Sequence, residues 1–435
     1  MTYTEKLDLS KDRFNQTKLL SLPYSKTMVE FLFSIIALQG LLELVLNASP
    51  LEGSGAGTFL GNKLLRGGLY IFFSISGLFL IKGRLHKPII VDKSMRFLIF
   101  FYIEIFIVIL LGSIQANQNS LYPLEDVRQL LEVYILIPLV YLSVKNIKVI
   151  HNSLNFFSNL LTVVALLNLI NYIGNFTLSL RLPTFSSLFP IIILFGATLS
   201  LARFLSSKLN IWRIIQLIIL YGGAFITFHK PVIFCGIFGA IFIFLVFIFN
   251  KKKTNLTFRT SLISKTALVI LIATSFLLVL NFIASNRLLD KYQYLYNLNY
   301  SKSISGGSID GMRFLIWDTT WNNLIQNNPL LGTGWGTKVN VFYQDNVYIH
   351  NFFIYWIAST GFIGAFVLIL LIIAFGIYLI EKLNLQKDTS IKVGLLGCLS
   401  IIVAFNLVGI TFAEPALTYS SGIIIGLLLR IVSYA

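Results

Sequence analysis

Twelve apolar stretches recur along this chain, most of them close to the ~20 residues that a helix needs to cross the hydrocarbon core of a bilayer. They fall at roughly 28–46, 64–82, 97–115, 127–143, 154–175, 186–205, 212–228, 232–249, 263–284, 351–380, 392–412 and 417–433. Charged residues are 12% of the 435 and hydrophobic ones 56%, where a soluble protein carries about 25% charged residues. In lipid, each segment must satisfy its own backbone polar groups, which helices do. The chain therefore reads as an all-α integral membrane protein of about twelve transmembrane helices.

Lysine and arginine collect in cytoplasmic loops, and their positions set the expected orientation. With the N-terminus inside, 24 of the 34 lie on the cytoplasmic side, Lys251, Lys252 and Lys253 among them. Ten fall outside: Lys63, Arg66, Arg128, Arg181, Lys230, Arg287, Lys291, Lys302, Arg313 and Lys338. This predicts both termini inside and an outward-facing segment 285–350. The net charge of +16 follows from the loop asymmetry, so no nucleic-acid partner is expected. The first 26 residues are polar and mixed in charge, so the first span is expected to remain as an anchor, without a cleaved leader. Cys235 and Cys398 fall inside apolar runs, which argues against a disulfide or thiol chemistry.

The organisation expected is one integrated domain in three parts. Residues 1–284 form a nine-span membrane part, 285–350 a large outer loop with short helices, and 351–435 a three-span part. No tandem repeat or Gly/Ser linker divides them. The seventh and eighth spans are separated only by His229, Lys230 and Pro231, as a tight hairpin or one broken element. The tenth is overlong, with Gly361 and Gly364 inside it, and is expected to begin at the interface before it spans.

A loop as long as 285–350 between spans is uncommon without a function. Residues 312–327 have helical character, with Asp310 as N-cap and Arg313, Trp317, Trp321 and Leu324 on one stripe. Pro329 and Gly332-Thr333-Gly334-Trp335-Gly336 end it. The stripe suits an amphipathic helix at the membrane surface as well as a substrate-facing one. The sequence contains no D-x-D, no His/Cys set at metal spacing and no P-loop, so neither metal nor cofactor is expected.

The candidate site residues are the polar groups at the outer mouths of spans. His350 opens the tenth span, followed by Asn351; it suits a cap or a general base, since imidazole titrates near pH ~6.5. Arg313 and Lys230 suit anionic headgroups or a phosphate clamp, guanidinium binding in a fork and ammonium as a point charge. His229 stands beside Lys230. Glu414, before Pro415, suits a sugar contact or a helix cap. Glu30, Glu43, Glu104 and Glu132 lie within spans, where carboxylates face the bundle interior or water.

Arg313 with Trp317, then Pro329-x-x-Gly332-x-Gly334, then His350-Asn351 with Gly361 and Gly364, resemble the signature of the bacterial O-antigen polymerase and O-antigen ligase superfamily. The close match covers about an eighth of the chain, and the span layout extends it loosely to the whole. The resemblance implies a GT-C-like membrane glycosyltransferase in the bacterial plasma (inner) membrane, working on the outer face. Its partners would be an undecaprenyl-diphosphate-linked oligosaccharide donor, a glycan acceptor and membrane lipid, with room for a chain-length regulator. Catalytic roles then carry over to His350 as base and Arg313 at the donor diphosphate. Lys230, His229, Trp317, Asn351 and Glu414 are the expected substrate-binding residues. A second family arginine has Lys230 as its nearest equivalent here, and lysine does not form the bidentate pair.

The function this implies is polymerisation of O-antigen, capsule or exopolysaccharide: a lipid-linked glycan passes, metal-independently and with inversion, to a sugar hydroxyl of another lipid-linked repeat unit. Ligation of the glycan to lipid A core or another acceptor is the alternative. A flippase for lipid-linked sugars is a third reading, resting on span count and intramembrane glutamates, but no internal repeat of the transporter kind supports it.

Overall fold

The structure is a computed structural model that describes residues 25–46, 56–84, 106, 122–144, 146–177, 188–207, 210–227, 229–249, 264–265, 309–336, 339–341, 344–347, 349, 351–383, 389–409 and 415–433. The described helices are α1 (Ser25–Leu46), α2 (Ala56–Arg84), α3 (Tyr122–Ser143), α4 (Ile147–Thr177), α5 (Phe189–Ser206), α6 (Ile211–Phe225), α7 (Lys230–Phe249), α8 (Ile309–Thr320), α9 (Phe352–Lys382), α10 (Thr389–Val408) and α11 (Pro415–Ser433). Seven are long and apolar enough to cross a membrane: α1, α4, α5, α7, α9, α10 and α11. Shorter apolar runs lie in α3 (Leu130–Ser143) and α6 (Ile211–Phe225), and α2 covers the expected second span. The expected third and ninth spans lie outside the described residues, save Phe106 and residues 264–265.

The multi-pass bundle is built around α5 and α11, whose residues are almost all buried. α5 packs against α4, α6, α7 and α10, and α11 packs chiefly against α3. Lipid gives no hydrophobic push between helices, so close packing at small residues does this work. A Cβ on Gly223 would lie 2.6 Å from the Ala165 carbonyl oxygen, and one on Gly426 2.8 Å from that of Ile137. The Ser158 and Ser200 hydroxyls, 2.8 Å apart, bond α4 to α5 inside the core.

Paired contacts give the helix directions. Tyr419 meets Glu132 and Arg430 meets Val144, so α3 and α11 run parallel. Gly239 lies against Ile401 and Gly397 against Ile243, so α7 and α10 are antiparallel. α1 is antiparallel to α2 (Gln39 with Asn62, Ile35 with Gly68) and parallel to α4 (Phe33 with Phe157, Leu44 with Asn171). α4 and α10 both oppose α5. α1, α4 and α10 thus run one way and α2, α5 and α7 the other; α11 packs on α10 and starts six residues after Gly409, so α11, and with it α3, also runs the second way. The Phe352 amide donates to the Gly409 carbonyl at 3.0 Å, which sets the start of α9 against the end of α10, beside the starts of α7 and α11.

The expected hinge at His229-Lys230-Pro231 is a hairpin. α6 ends at Phe225, and Val232 and Ile233 donate to the His229 carbonyl at 3.0 and 3.1 Å to start α7. Pro231 occupies the first turn, where a missing N–H costs nothing. The loop adds one short hairpin to the helices. Val339–Val341 (β1) and Gln344–Val347 (β2) pair antiparallel, with a register irregularity between Val339 and Val341.

Candidate active site

The loop helix α8 covers Arg313 and Trp317 and starts at Ile309, which places Asp310 within its first turn instead of at the cap. After Thr320 it widens into a single π-helical turn, Trp321–Ile325, closed by the Gln326 amide on the Trp321 carbonyl at 3.0 Å. The extra residue in that turn rotates the succeeding residues around the axis and breaks the expected stripe. Trp317 and Leu324 are half-buried against the core, whereas Trp321 is 45% exposed and meets Phe362 edge-on, centroids 6.3 Å apart.

The overlong tenth element is α9, and it is broken at Gly361 (φ 66°, ψ −172°). A break frees backbone groups that cost several kcal/mol each if left bare in hydrocarbon. Here the loop satisfies them. Thr333 and Gly334 amides donate to the Ala358 and Ser359 carbonyls at 2.8 and 2.9 Å, while Phe362 and Ile363 amides donate to the Pro329 and Leu330 carbonyls at 2.8 and 3.3 Å. The Thr333 hydroxyl adds a bond to Ala358 at 3.0 Å. The backbones touch so closely that a Cβ on Gly361 would sit 2.2 Å from the Leu330 oxygen, and one on Gly332 (φ 73°) 2.5 Å from the Gly361 nitrogen. Pro329, Gly332, Gly334 and Gly361 thus form a clasp that fastens loop to membrane helix. Beyond the break, residues 362–382 are long enough to span.

Trp335, 2% exposed, is wedged against Tyr355 and Trp356, with centroids 6.0 and 5.1 Å apart. The Tyr355 hydroxyl accepts from the Gly336 amide at 3.1 Å, and the Trp356 indole donates to the Gly364 carbonyl at 3.0 Å. This aromatic core also holds Ile316 of α8, Ile349, Phe352, and Leu130, Val133, Tyr134 and Ile137 of α3.

Asn351 is the N-cap of α9. Its Oδ1 accepts from the Phe353 and Ile354 amides, both at 3.0 Å, and its Nδ2 donates to the Leu407 carbonyl at 2.8 Å. Position 350 is therefore bracketed by a buried Ile349 and a doubly anchored cap. His350 itself and Glu414 lie outside the described residues. Arg313 and Lys230 are described in backbone only. Arg313 is one helical turn from Ile316 in that shared core, and Lys230 is the first residue of α7. Continuing the α7–α10 register from Gly239/Ile401 and Ile243/Gly397 carries Lys230 to the end of α10, near the Gly409 that meets Phe352. The half-buried His229 is beside it. Lys230 and Asn351 thus converge, by backbone, on one end of α10, and α8 joins, through Ile316, the core that holds Ile349 and Phe352. Among the described residues no group of His, Cys, Asp and Glu is arranged to hold a metal.

Residues 217–369 match the O-antigen ligase family. The matched segment, 153 of the 435 residues, runs from inside α6 to the part of α9 beyond Gly361. It takes in Lys230, Arg313, the clasp and His350-Asn351, and stops before Glu414. This agrees with the resemblance to the O-antigen polymerase and ligase superfamily. No curated protein matches the chain. Sequence alone missed the clasp, because its two halves lie 25 or more residues apart and no periodicity links them. It also missed the bond from Asn351 to Leu407. The β-hairpin had a signal in the alternating Val339 and Val341.

Proposed function

We propose that this chain is a polysaccharide polymerase of the bacterial plasma membrane, passing an undecaprenyl-diphosphate-linked glycan onto a second lipid-linked repeat unit at the outer face. What supports a transferase of this class, polymerase or ligase, is the family match over residues 217–369, the segment that holds the starts of α7 and α9, both set against the end of α10. About twelve spans with both termini inside remain the proposed topology. In its support, α2 and α3 run in the same direction, as do α7 and α9, which calls for an odd number of crossings between each pair.

In the proposed reaction a sugar hydroxyl of the acceptor attacks the anomeric carbon of the donor glycan from the face opposite the diphosphate. The new C–O bond forms as the bond to the diphosphate oxygen breaks, and that oxygen takes the electron pair. The hydroxyl proton passes to His350. Arg313 and Lys230 stabilise the charge gathering on the departing diphosphate; an oriented donor of this kind contributes about 3–4 kcal/mol. One displacement gives inversion, and the products are the lengthened lipid-linked glycan and undecaprenyl diphosphate. Trp317, His229 and Glu414 line the substrates in this reading. Asn351 acts mainly by holding position 350.

A second reading, favoured by the match of residues 217–369 to the O-antigen ligase family, is a ligase that hands the finished glycan to lipid A core or another acceptor. Both share donor and chemistry and differ in acceptor. The glycans of a deletion strain separate them. Single repeat units on the final acceptor support the polymerase, whereas accumulated undecaprenyl-linked polymer supports the ligase.

A further inference from the structure

A second charged cluster lies on the other side of α3, and the reaction above makes no use of it. Glu132 is buried, 4% exposed, in an apolar stretch of α3. Its Oε1 accepts from the Tyr70 hydroxyl of α2 at 2.7 Å and lies 3.5 Å from Arg128 Nε. Its Oε2 accepts from the Tyr419 hydroxyl of α11. One carboxylate thus ties together three helices that run in the same direction.

Arg128 stands one turn before Glu132 on α3, and its side chain is 41% exposed. Arg66 stands one turn before Tyr70 on α2, near enough to act electrostatically on both Tyr70 and Tyr419. Both arginines therefore lie toward the end at which α3 and α11 begin, which is also where α7 and α9 begin. Asn62, Arg66 and Tyr70 continue as one polar stripe at i, i+4 and i+8. Its far end is the Asn62 Oδ1, which accepts from buried Gln39 at 2.5 Å.

Helix association alone does not call for this. A buried ion pair is often no more stabilising than apolar residues of the same volume, and ionisable groups within a bundle mark substrate paths. Arg128, steadied by the anchored Glu132 carboxylate, and Arg66, close to the two tyrosines that bond that carboxylate, present forked donors matched to phosphate oxygens. The neighbouring face of α3, through Leu130, Val133, Tyr134 and Ile137, belongs to the same core as Ile316, Ile349 and Phe352. One helix thus separates this cluster from Ile349 and the start of α9.

We propose that Arg66 and Arg128 hold the diphosphate of the second lipid-linked substrate, the acceptor, with Glu132, Tyr70 and Tyr419 as the residues that position them. This rests on the polymerase reading, in which two mutually repelling diphosphates are bound at once and each needs its own cations. Arg313 and Lys230 serve the donor, Arg66 and Arg128 the acceptor.

The test is native mass spectrometry of the purified full chain from phosphatidylcholine nanodiscs titrated with undecaprenyl diphosphate. Wild type should bind two molecules, and Arg66→Gln/Arg128→Gln and Arg313→Gln/Lys230→Gln one each. Where the first double variant does not fold, Arg128→Gln alone should weaken the second binding event at least tenfold. Two undiminished sites in these variants overturn the proposal, as does equal displacement by phosphatidylglycerol, which would mark a general anionic-lipid site. One wild-type site, lost in Arg313→Gln/Lys230→Gln, sinks the acceptor site and leaves the polymerase standing. No binding at all sinks both.

Discussion

Gly361→Ala is the perturbation that tests the clasp most sharply. Gly361 adopts φ 66°, ψ −172°, a region essentially reserved for glycine that costs other residues about 1–3 kcal/mol. The added methyl would also sit 2.2 Å from the Leu330 oxygen, a backbone atom with no rotamer to retreat into. Relief requires the loop to lift. That gives up the bonds from Thr333 and Gly334 to Ala358 and Ser359 and those from Phe362 and Ile363 to Pro329 and Leu330, each worth about 1 kcal/mol net. Conformational cost and half of these bonds together give about 3–5 kcal/mol of local opening. At tenfold per ~1.4 kcal/mol, amide hydrogen exchange over 329–336 should speed up at least ~100-fold. Gly376→Ala is the control: its Cβ meets nothing within 4 Å and lies in regular helix, so exchange should stay unchanged. Equal exchange in Gly361→Ala and wild type would refute the clasp.

Asn351→Ala should destabilise the α9–α10 junction by about 2–3 kcal/mol, from the lost cap and the stranded Leu407 carbonyl, read as protease sensitivity at 349–355. Asn351→Asp keeps the cap acceptor but sets an oxygen against Leu407, so it should rescue only part of the loss; full rescue would reduce Asn351 to a simple cap. Tyr419→Phe removes one donor from the buried Glu132 carboxylate and should lower unfolding free energy in mixed detergent micelles by about 1.5–3 kcal/mol. Tyr70→Phe, at a 45% exposed residue, should cost less, and equal costs would contradict the burial argument. Glycan transfer should persist in excess EDTA, since Arg313 and Lys230 are assigned the leaving-group charge; abolition by EDTA and recovery with a divalent ion would remove that assignment.

The spans were legible where an apolar run carries its own signal. Residues 232–249 and 417–433 became α7 and α11 with starts shifted by two residues. The tenth run was legible as overlong, with Gly361 inside it and a start expected at the interface, and the structure breaks it at Gly361. What broke it was not legible, because the partners of the freed amides are Pro329 and Leu330, a contact that exists only in the folded chain. In the same way Glu132 announced itself as a costly intramembrane carboxylate, but nothing in the sequence tied it to Tyr70 and Tyr419, 62 and 287 residues away. The stripe through Trp321 failed for a local reason: a π turn inserts one residue, and a 3.6-residue period does not anticipate it. For the proposed site, the resemblance pointed to His350-Asn351, and the structure gives Asn351 a role that spacing does not show, since it fixes both helix start and interhelix joint.

The central claim concerns chemistry at the junction of α7, α9 and α10, and the most direct measurement is elongation of an undecaprenyl-diphosphate-linked oligosaccharide by the purified chain in detergent. Longer lipid-linked products from wild type, and none from folded His350→Ala or Arg313→Ala protein, are what this account predicts. Undiminished elongation by His350→Ala would contradict it.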